Sequence, residues 1–498
     1  MTFYAVYKAT DKSAWTGKVA DSFHSGYGTK ALPYIIKTAD QFALFAKVIN
    51  EQTEGYTDAY YALGNNINLG GNTWVPIGIT KEKPFSANFD GRGYTVSNFS
   101  LSESDYIGLF GFVQGGTIKN LGISNFTIDV SPSSAASDAC VYVGALAGYI
   151  SSSSYQTSII SSIGITDGTM NINASIYNVY AGYITGYADA NVRSQTLISD
   201  CFASGDIKVT NSSHLGYNYA GGLAGMLYTG SNSLTKLTNC YHTGSIESRS
   251  YHSSRAGGLV GYLYSIGSAY TSSEKEGYVS SDESENYAVL ANDTDVMMEN
   301  CFAVTNVTSH SLFYTSAAGK LTGLCNPHAA VVNSAYPMRG VTITTILGSG
   351  NYAATTETNE GISEAPSFYK IIDILAENFG FDFENVWTFS EGYEYPMLSC
   401  LVENKPLLSL ESFSIEDGKL DAEIKLYSPS EDYTVIIGVY NDRNQPIKIE
   451  RIRFNYEYAT QTINLSYDGM DKAKRLNASV YETKTMLPLF EALDAEIQ

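Results

Sequence analysis

Hydrophobic and polar residues alternate along most of the chain, in short stretches that glycine, serine and asparagine interrupt. A period of two is the pattern of a β-strand with one face buried. Between about residues 87 and 346, no stretch shows the 3.6-residue period of a helix. The pattern therefore predicts a fold built almost entirely of short strands and turns.

A glycine-rich motif recurs through the middle of the chain. Its six copies, among them AGGLAG and AGGLVG, close on Gly111, Gly148, Gly186, Gly225, Gly261 and Gly323. Successive copies are 37, 38, 39, 36 and 62 residues apart. A repeat of about 20 to 50 residues is typical of solenoids. The long last step predicts an insertion at Ser268–Asp295, which is polar and acidic and is therefore expected to extend into solvent.

Each copy carries a second landmark, in which a polar residue precedes a small or apolar one. The polar residues are Asn120, Ser162, Asp200, Asn239, Asn300 and Asn333. We expect them to form hydrogen bonds from one turn to the next. The residues after them are expected in the core, with cysteine acting as a small hydrophobic side chain: Leu121, Ile163, Cys201, Cys240, Cys301 and Ser334. Strand and turn alternating in every copy predict a right-handed parallel β-helix, whose coils bury their inner faces by stacking.

The alternation around the glycine-rich motif, the first landmark of each copy, assigns side chains to the inside or the outside of each coil. Those expected inside are Leu109, Leu146, Ile184, Leu223, Leu259 and Leu321, with Val113, Ile150, Ala188, Leu227, Leu263 and Cys325. The closing glycines are expected where a coil has no room for a side chain. Those expected outside, one position after each closing glycine, are Phe112, Tyr149, Tyr187, Met226, Tyr262 and Leu324. Coils stacked in register would align these outer residues as a largely aromatic ladder.

The two ends of the chain have different patterns. Thr38 and Gln41 form the capping box T-x-x-Q of a helix N-terminus. Apolar residues follow at helical spacing, and a helix of about 12 residues would cover the open end of the stack: Phe42, Phe45, Ala46 and Ile49. From about Pro406, short alternating strands predict a β-sandwich of about 90 residues. The fold class is thus all-β, with a capped β-helix followed by a small Ig-like sandwich.

The glycine-rich repeat and its NCY or NCF partner resemble the GLUG motif of bacterial cell-surface proteins, which include IgA-peptidase-like proteins and adhesins. The segments Gly26–Asn50, Tyr60–Gly78 and Pro84–Leu101 resemble the entry region of those solenoids, and Phe381–Cys400 resembles their closing segment. The resemblance implies a cell-surface β-helix at residues 25–403 and a sandwich module at 404–498. TFYAVYK near the N-terminus resembles the last strand of small surface-protein repeats, which implies that residues 1–24 are the tail of a preceding module or a linker.

The composition narrows the classes of partner. The chain has 30 Lys and Arg against 51 Asp and Glu, a net charge of −21. Such a surface repels nucleic acid and anionic membranes, so neither is an expected partner. The longest apolar stretch, Val141–Ile150, is much shorter than a membrane span, and no membrane insertion by this part of the chain is expected. Abundant Tyr and Gly with only 16% charged residues indicate a β-rich extracellular protein rather than a cytosolic enzyme. The family resemblance implies that it is secreted or displayed on a bacterial cell surface.

Motifs for catalysis or metal binding are not found in the sequence. The six histidines lie outside HExxH and other metal-ligand spacings, no cysteines form a CxxC pair, and no Gly-x-Ser-x-Gly elbow occurs. We therefore expect no catalytic residue, no metal and no cofactor. Carboxylates on neighbouring coils could still converge as an acid and base pair, although a solvated or turn-capping role is the simpler interpretation: Asp189, Asp200, Asp206 and Glu247.

The outer aromatic residues are the candidates for ligand binding, because aromatic rings can pack on the faces of sugars. The candidate residues are Tyr149, Tyr187, Tyr228, Tyr262, Tyr264 and Tyr270. Flanking segments that covered this face would instead make it a second core layer. The function predicted is that of a non-catalytic extracellular adhesion module that binds a host protein or glycan and adjoins other modules of the same chain. The alternatives are a β-helix polysaccharide lyase or glycosidase and a purely structural stalk.

Overall fold

The computed structural model describes most of the solenoid and parts of the C-terminal region. The described residues are 14–102, 104–136, 138–266, 295–326, 329–337, 342–347, 354–355, 362–364, 375–376, 379–383, 385–388, 395–402, 408–416, 418–426, 433–443, 445–454, 461–482 and 493–496. Tyr270 and the predicted insertion, except its last residue Asp295, lie outside these residues.

The N-terminal part contains strands and one helix: β1 (Tyr34–Ile36), α1 (Ala39–Asn50), β2 (Tyr60–Leu63), β3 (Ile67–Trp74), β4 (Asn88–Asp90) and β5 (Thr95–Leu101). The repeats supply β6 (Tyr106–Ile107), β7 (Phe110–Gln114), β8 (Thr117–Val130), β9 (Cys140–Gly144), β10 (Ala147–Ser153), β11 (Thr157–Ala174), β12 (Asn178–Gly182), β13 (Thr185–Asn191), β14 (Gln195–Ser199), β15 (Phe202–Asn211), β16 (Tyr217–Gly221), β17 (Ala224–Thr229), β18 (Leu234–Thr238), β19 (Tyr241–Ser250), β20 (Ser253–Gly257), β21 (Val260–Ser265), β22 (Asp295–Glu299), β23 (Phe302–Ser311), β24 (Ser316–Gly319) and β25 (Thr322–Cys325). Further strands are β26 (Ala329–Val332), β27 (Ala335–Pro337), β28 (Ile343–Leu347), β29 (Ala354–Thr355) and β30 (Ile362–Glu364).

The C-terminal region begins with β31 (Trp387–Thr388), β32 (Met397–Leu398) and the short helix α2 (Ser399–Val402). It continues with β33 (Leu408–Glu416), β34 (Lys419–Leu426), β35 (Tyr433–Tyr440), β36 (Pro446–Phe454), β37 (Gln461–Tyr467), β38 (Arg475–Glu482) and β39 (Leu493–Glu496).

The repeats form three parallel sheets that run along the solenoid. Sheet I has 17 described strands, among them β8, β11, β15, β19 and β23. Sheet II is formed by β6, β9, β12, β16, β20, β24 and β29, and sheet III by β7, β10, β13, β17, β21 and β25. Each coil passes from sheet II through sheet III to sheet I, and every pairing between these coils is parallel. The predicted all-β solenoid is confirmed.

The inner face of the coils is packed as the alternation predicts. Eleven of the twelve side chains expected inside are at most 1% exposed, while the twelfth, Cys325, is half-buried. A Cβ placed on any of the six closing glycines would lie between 2.4 and 2.8 Å from the nearest heavy atom. A side chain therefore cannot be added there without moving a neighbouring coil.

The polar row of the second landmark stabilises the turn that each coil makes in sheet I. All six residues of the row have a positive φ, between 46° and 55°. Asparagine and aspartate adopt this left-handed conformation more readily than other non-glycine residues. Side-chain amides link successive turns, with Asn239 Nδ2 donating to Asp200 Oδ1 at 3.3 Å and Asn333 Nδ2 to Asn300 Oδ1 at 2.8 Å. The predicted ladder is confirmed, and Cys201, Cys240 and Cys301 lie fully buried beside it.

The N-terminal helix covers the first coils as predicted. Thr38 is the N-cap of α1, and its Oγ1 accepts a hydrogen bond from Gln41 N at 3.3 Å. In return, Gln41 Oε1 accepts from the Lys37 amide at 2.9 Å, one residue before the N-cap. Phe42 and Phe45 are fully buried among the aromatic rings of the first coils. The capping box and the 12-residue helix are confirmed.

A C-terminal segment runs back along the outside of sheet I. This return segment comprises the described residues between 375 and 402, and its apolar side chains cover the first residues of β15, β19 and β23, which are Phe202, Tyr241 and Phe302. The Trp387 ring centroid lies 5.8 Å from that of Tyr241 and 6.2 Å from that of Phe202. The segment resembling a closing element thus packs laterally on at least three coils.

The C-terminal strands form two antiparallel sheets, β33-β34-β37 and β36-β35-β38-β39. Their facing side chains build a core separate from that of the solenoid: Leu420, Ile424, Val435, Ile437, Val439 and Leu476 are at most 1% exposed. Two packed antiparallel sheets with one shared core form the predicted β-sandwich.

His242 is a buried histidine inside the solenoid. It takes the position that alanine has in the two neighbouring coils, at Ala203 and Ala303. Its ring lies 2.9 Å from Thr305 Oγ1 through Nδ1 and packs on the ring of Tyr183 with centroids 5.8 Å apart. Burial lowers the pKa of His242 from 6.5 to about 3, although the charge of Asp206 opposes the shift.

This histidine makes the solenoid sensitive to acid. Below pH 6.5 the unfolded chain binds a proton at His242 that the folded chain does not bind until about pH 3. The free energy of unfolding should therefore fall as the pH decreases through this interval, by several kcal/mol in all. Urea titrations should show a shallower pH dependence for His242→Gln than for the wild type. Parallel pH profiles of the two proteins would contradict the assignment.

Candidate binding surface

Outward side chains of sheets II and III meet at one corner of the coils. In sheet II they come from Tyr106, Tyr142, Tyr180, Tyr219 and Arg255, which pair in register from β6 to β20. In sheet III they come from Phe112, Tyr149, Tyr187, Met226 and Tyr262, which pair in register from β7 to β21. We call these two rows the tyrosine corner.

The bend between the two strands of each coil brings the rows into contact. Only two residues, such as Ala145 and Leu146, separate the sheet II strand from the sheet III strand. The ring centroids of Tyr142 and Tyr149 lie 4.7 Å apart, at 68° to each other. Because outward side chains converge here, the corner is concave as seen from the solvent.

Rings of the corner also stack on those of neighbouring coils. Tyr180 stacks on Tyr142 at 5.1 Å and on Tyr219 at 4.7 Å, and Tyr149 packs on Phe112 at 4.9 Å and on Tyr187 at 4.8 Å. The ring faces are therefore largely covered along the axis. Most of these tyrosines are half-buried, so only part of each side chain reaches the solvent.

The tyrosine hydroxyls of the corner are held in the neutral, hydrogen-bonding form. Burial raises the pKa of Tyr149 and of Tyr187, and the carboxylate of Asp189 raises both further. Both groups therefore remain protonated at any physiological pH; the Tyr187 hydroxyl can donate a hydrogen bond to a ligand, whereas the Tyr149 hydroxyl donates its proton to Asp189 and can only accept one.

Asp189 lies two residues after Tyr187, on the same face of β13, and is 6% exposed. Its Oδ1 accepts from Ser151 Oγ at 2.6 Å, and its Oδ2 accepts from Tyr149 Oη at 2.9 Å and from Asn191 Nδ2 at 2.7 Å. Burial raises the pKa of Asp189, while the donors from Ser151, Tyr149 and Asn191 oppose that shift. The network fixes the Tyr149 hydroxyl beside a carboxylate at the rim of the corner.

Two further predicted residues continue the row of Asp189. Tyr228 and Tyr264 pair with each other in register, and Tyr228 pairs with Asp189. Their rings are parallel to within 4°, with centroids 5.7 Å apart. Tyr264 also meets Tyr262 edge to face at 5.6 Å, which joins this pair to the tyrosine corner.

Arg255 replaces tyrosine at the last rung of the sheet II row. Its guanidinium carbon lies 5.0 Å from the ring centroid of Tyr219 and 4.8 Å from that of Tyr262. A cation over aromatic faces is attracted by their quadrupoles. This end of the corner therefore carries a positive charge, whereas Asp189 introduces a carboxyl group further along.

Five of the six predicted tyrosines thus lie on one continuous surface, and Tyr270 lies outside the described residues. The sheet II row was not predicted: all predicted candidates follow the closing glycine of a copy, whereas the residues of this row precede it. A signal for it was present: Tyr142, Tyr180, Tyr219 and Arg255 each come directly before a small residue or valine and then glycine.

The other carboxylates considered as an acid and base pair lie away from the tyrosine corner. Asp206 accepts from Ser245 Oγ at 2.7 Å on the outer face of sheet I. Glu247, on the same face, contacts Arg249 Nε at 2.6 Å. Asp200 belongs to the polar ladder at the turn in sheet I. Among the described residues, no group of three or more His, Cys, Asp and Glu could hold a metal ion.

Comparison with known proteins gives a limited similarity. The chain matches no protein-family model. It is 28% identical over 140 residues to Halomucin of Haloquadratum walsbyi (strain DSM 16790 / HBSQ001), a match that covers 24% of this chain and 2% of Halomucin. Within the described part of the chain, neither helix has the length and apolar character needed to cross a membrane.

Proposed function

We propose that this chain is a non-catalytic extracellular binding module of a large bacterial surface protein, and that the tyrosine corner binds a glycan chain. The observation that carries the proposal is the pair of in-register aromatic rows beside the Asp189 network. A binding site of this kind combines apolar surface with a few fixed polar groups.

The chemistry of the corner suits an uncharged sugar chain. A sugar offers C–H groups and hydroxyls together, and the corner offers ring edges beside the hydroxyls of Tyr149 and Tyr187. The row repeats at the strand spacing of about 4.8 Å, so a chain lying along the axis would meet the same kind of group at each coil. Placing an anionic sugar beside Asp189 would add repulsion, which favours a neutral ligand there.

Location at the cell surface is supported by composition and by resemblance. The chain is rich in Tyr and Gly and poor in charge. The GLUG-like repeats and the partial similarity to Halomucin agree with a place in a large modular chain. The chain spans only about 2% of the length of Halomucin, so nothing is carried over about the activity of that protein.

The test uses variants that remove hydroxyls and leave the rings stacked. Tyr149→Phe combined with Tyr187→Phe should lower binding on an array of neutral glycans by about 5- to 100-fold, because each hydrogen bond to a ligand contributes about 0.5–1.5 kcal/mol. Tyr27→Phe is the matched control, since Tyr27 is 78% exposed and lies near the N-terminal cap. Because Tyr149→Phe also removes a donor to buried Asp189, the double variant should unfold at a somewhat lower temperature, so binding is measured well below the thermal midpoints of all three proteins to exclude unfolding as the cause.

Other outcomes distinguish the alternative functions. No wild-type signal for any glycan would refute the proposal and leave a structural stalk. Release of reducing ends or unsaturated products from a bound polysaccharide would replace it with catalysis. Asp189 would then be the first acid to examine, because burial raises its pKa.

A further inference from the structure

A second exposed aromatic surface lies at the corner between sheets I and II. Backbone hydrogen bonds align the turns of three coils there, and side chains that are 40–54% exposed project from them: Leu215, Leu312, Phe313 and Tyr314. Tyr251 is half-buried, and its ring contacts that of His214 in the preceding coil at 4.2 Å and that of Phe313 in the following coil. We call these five residues the aromatic ridge. It lies on a different corner of each coil from the tyrosine corner.

Stacking from coil to coil makes the ridge rigid. The rings of Tyr251 and Phe313 stack with centroids 4.7 Å apart, and those of His252 and Tyr314 stack at 4.3 Å. The Phe313 amide donates to Tyr251 O at 3.1 Å, and the Tyr314 amide donates to His252 O at 2.9 Å. A ligand that met this ridge would therefore lose little affinity to ordering of the protein.

Positive charge lies beside the ridge, although the chain as a whole is strongly acidic. Arg249 is two residues before Tyr251 and pairs in register with His310. Glu247 Oε1 lies 2.6 Å from Arg249 Nε, and Glu247 Oε2 lies 3.8 Å from Lys208 Nζ, so these three side chains together carry one net positive charge. Asp206, two residues before Lys208 on the same face, lies farther from the ridge than Arg249 does. Burial and the neighbouring Arg249 lower the pKa of His310, so at neutral pH this ring can accept or donate a hydrogen bond without adding charge.

We infer that the aromatic ridge binds a glycan that carries carboxylate groups, with sugar rings against Tyr251 and Phe313 and a carboxylate against Arg249. The two adjacent stacks, Tyr251 with Phe313 and His252 with Tyr314, form a patch much smaller than the roughly 800 Å² per partner of a stable protein interface. A patch of this size suits a few sugar rings. The inference shares the extracellular setting of the proposed function but does not depend on the tyrosine corner.

The probe is a polyuronate oligosaccharide compared with its carboxyl-reduced, neutral counterpart. With the tyrosine corner weakened by Tyr149→Phe and Tyr187→Phe, so that the neutral form has no strong second site, the protein should bind the acidic form at least about 10-fold more tightly, since charge-assisted hydrogen bonds are among the stronger polar contacts. Arg249→Gln should remove that preference, and it leaves the stacked rings in place. Tyr251→Ala with Phe313→Ala should abolish binding of the acidic form, with thermal unfolding as the check on folding.

Tyr149→Phe with Tyr187→Phe serves as the matched control and should bind the acidic oligosaccharide as the wild type does. Equal binding of the acidic and reduced forms by this double variant, or an unchanged preference in Arg249→Gln, would overturn the inference. The inference would also be overturned if the wild-type protein did not bind the acidic form. It would be overturned too if the ridge bound only an apolar surface of another protein. Failure of the tyrosine corner would show separately, as loss of the neutral-glycan signal alone.

Discussion

Replacing Gly225 by alanine is expected to lower the free energy of unfolding of the solenoid by about 3 kcal/mol. A Cβ at this position would lie 2.4 Å from Gly186 O, 2.6 Å from Ala181 N and 2.8 Å from Tyr219 O. All three are backbone atoms, so a rotamer change cannot relieve the contact. The neighbouring coils would have to move apart, which would weaken the hydrogen bonds that join β13 to β17 and β12 to β16. Urea unfolding followed by circular dichroism measures the loss.

Gly55→Ala is the control variant, because it measures the stability cost of backbone strain without any crowding. Gly55 has a φ of +81° with no heavy atom within 4 Å of an added Cβ, so it should lose only about 1–2 kcal/mol. Gly225 is not among the residues with positive φ, so its cost would be steric alone. Equal stability of the Gly225→Ala variant and the wild type would contradict the close stacking of the coils.

Trp387→Ala is expected to cost about 3–5 kcal/mol and to release the return segment from sheet I. Trp387 is fully buried, with its ring 4.9 Å from that of Phe381 and 5.8 Å from that of Tyr241. The Tyr241 hydroxyl also donates to Pro396 O, so a single cluster fixes several parts of the segment. Hydrogen exchange should become faster in the described residues of 379–402 and in the first residues of β15 and β19.

Trp15→Ala is the matched control for this variant. Trp15 is half-buried and meets Trp74 edge to face at 5.7 Å near the N-terminal cap. Its loss should cost less and should leave exchange in the return segment unchanged. If Trp387→Ala altered neither stability nor exchange in residues 379–402, the segment would not be packed on the solenoid as described.

The repeat made the inner structure predictable, because the same packing constraint acts on every coil. Leu223 and Gly225 have equivalents in each copy, and their positions follow from alternation and spacing alone. The turns with positive φ could also be located from the sequence as a polar row, since Asn239 and its equivalents each come directly before an expected core residue.

The outer surface was less predictable, because it depends on contacts between elements far apart in sequence. The outer ladder after the closing glycines was predicted. Its contact with Tyr142 and Tyr180 depends on the angle between sheets II and III, which the spacing of the repeats does not determine. Tyr241 and Pro396 are 155 residues apart, so local pattern could not place the return segment. The aromatic ridge was missed because its turns differ in length from coil to coil.

The affinity of the wild-type protein for neutral oligosaccharides of increasing length tests the central claim most directly. The tyrosine corner extends over five rungs, about 20 Å at the strand spacing. Affinity for the best array glycan should rise with each added sugar until the chain spans that distance and should then level off. An affinity that is complete with a single sugar and does not change with length would contradict a binding surface that runs along the solenoid.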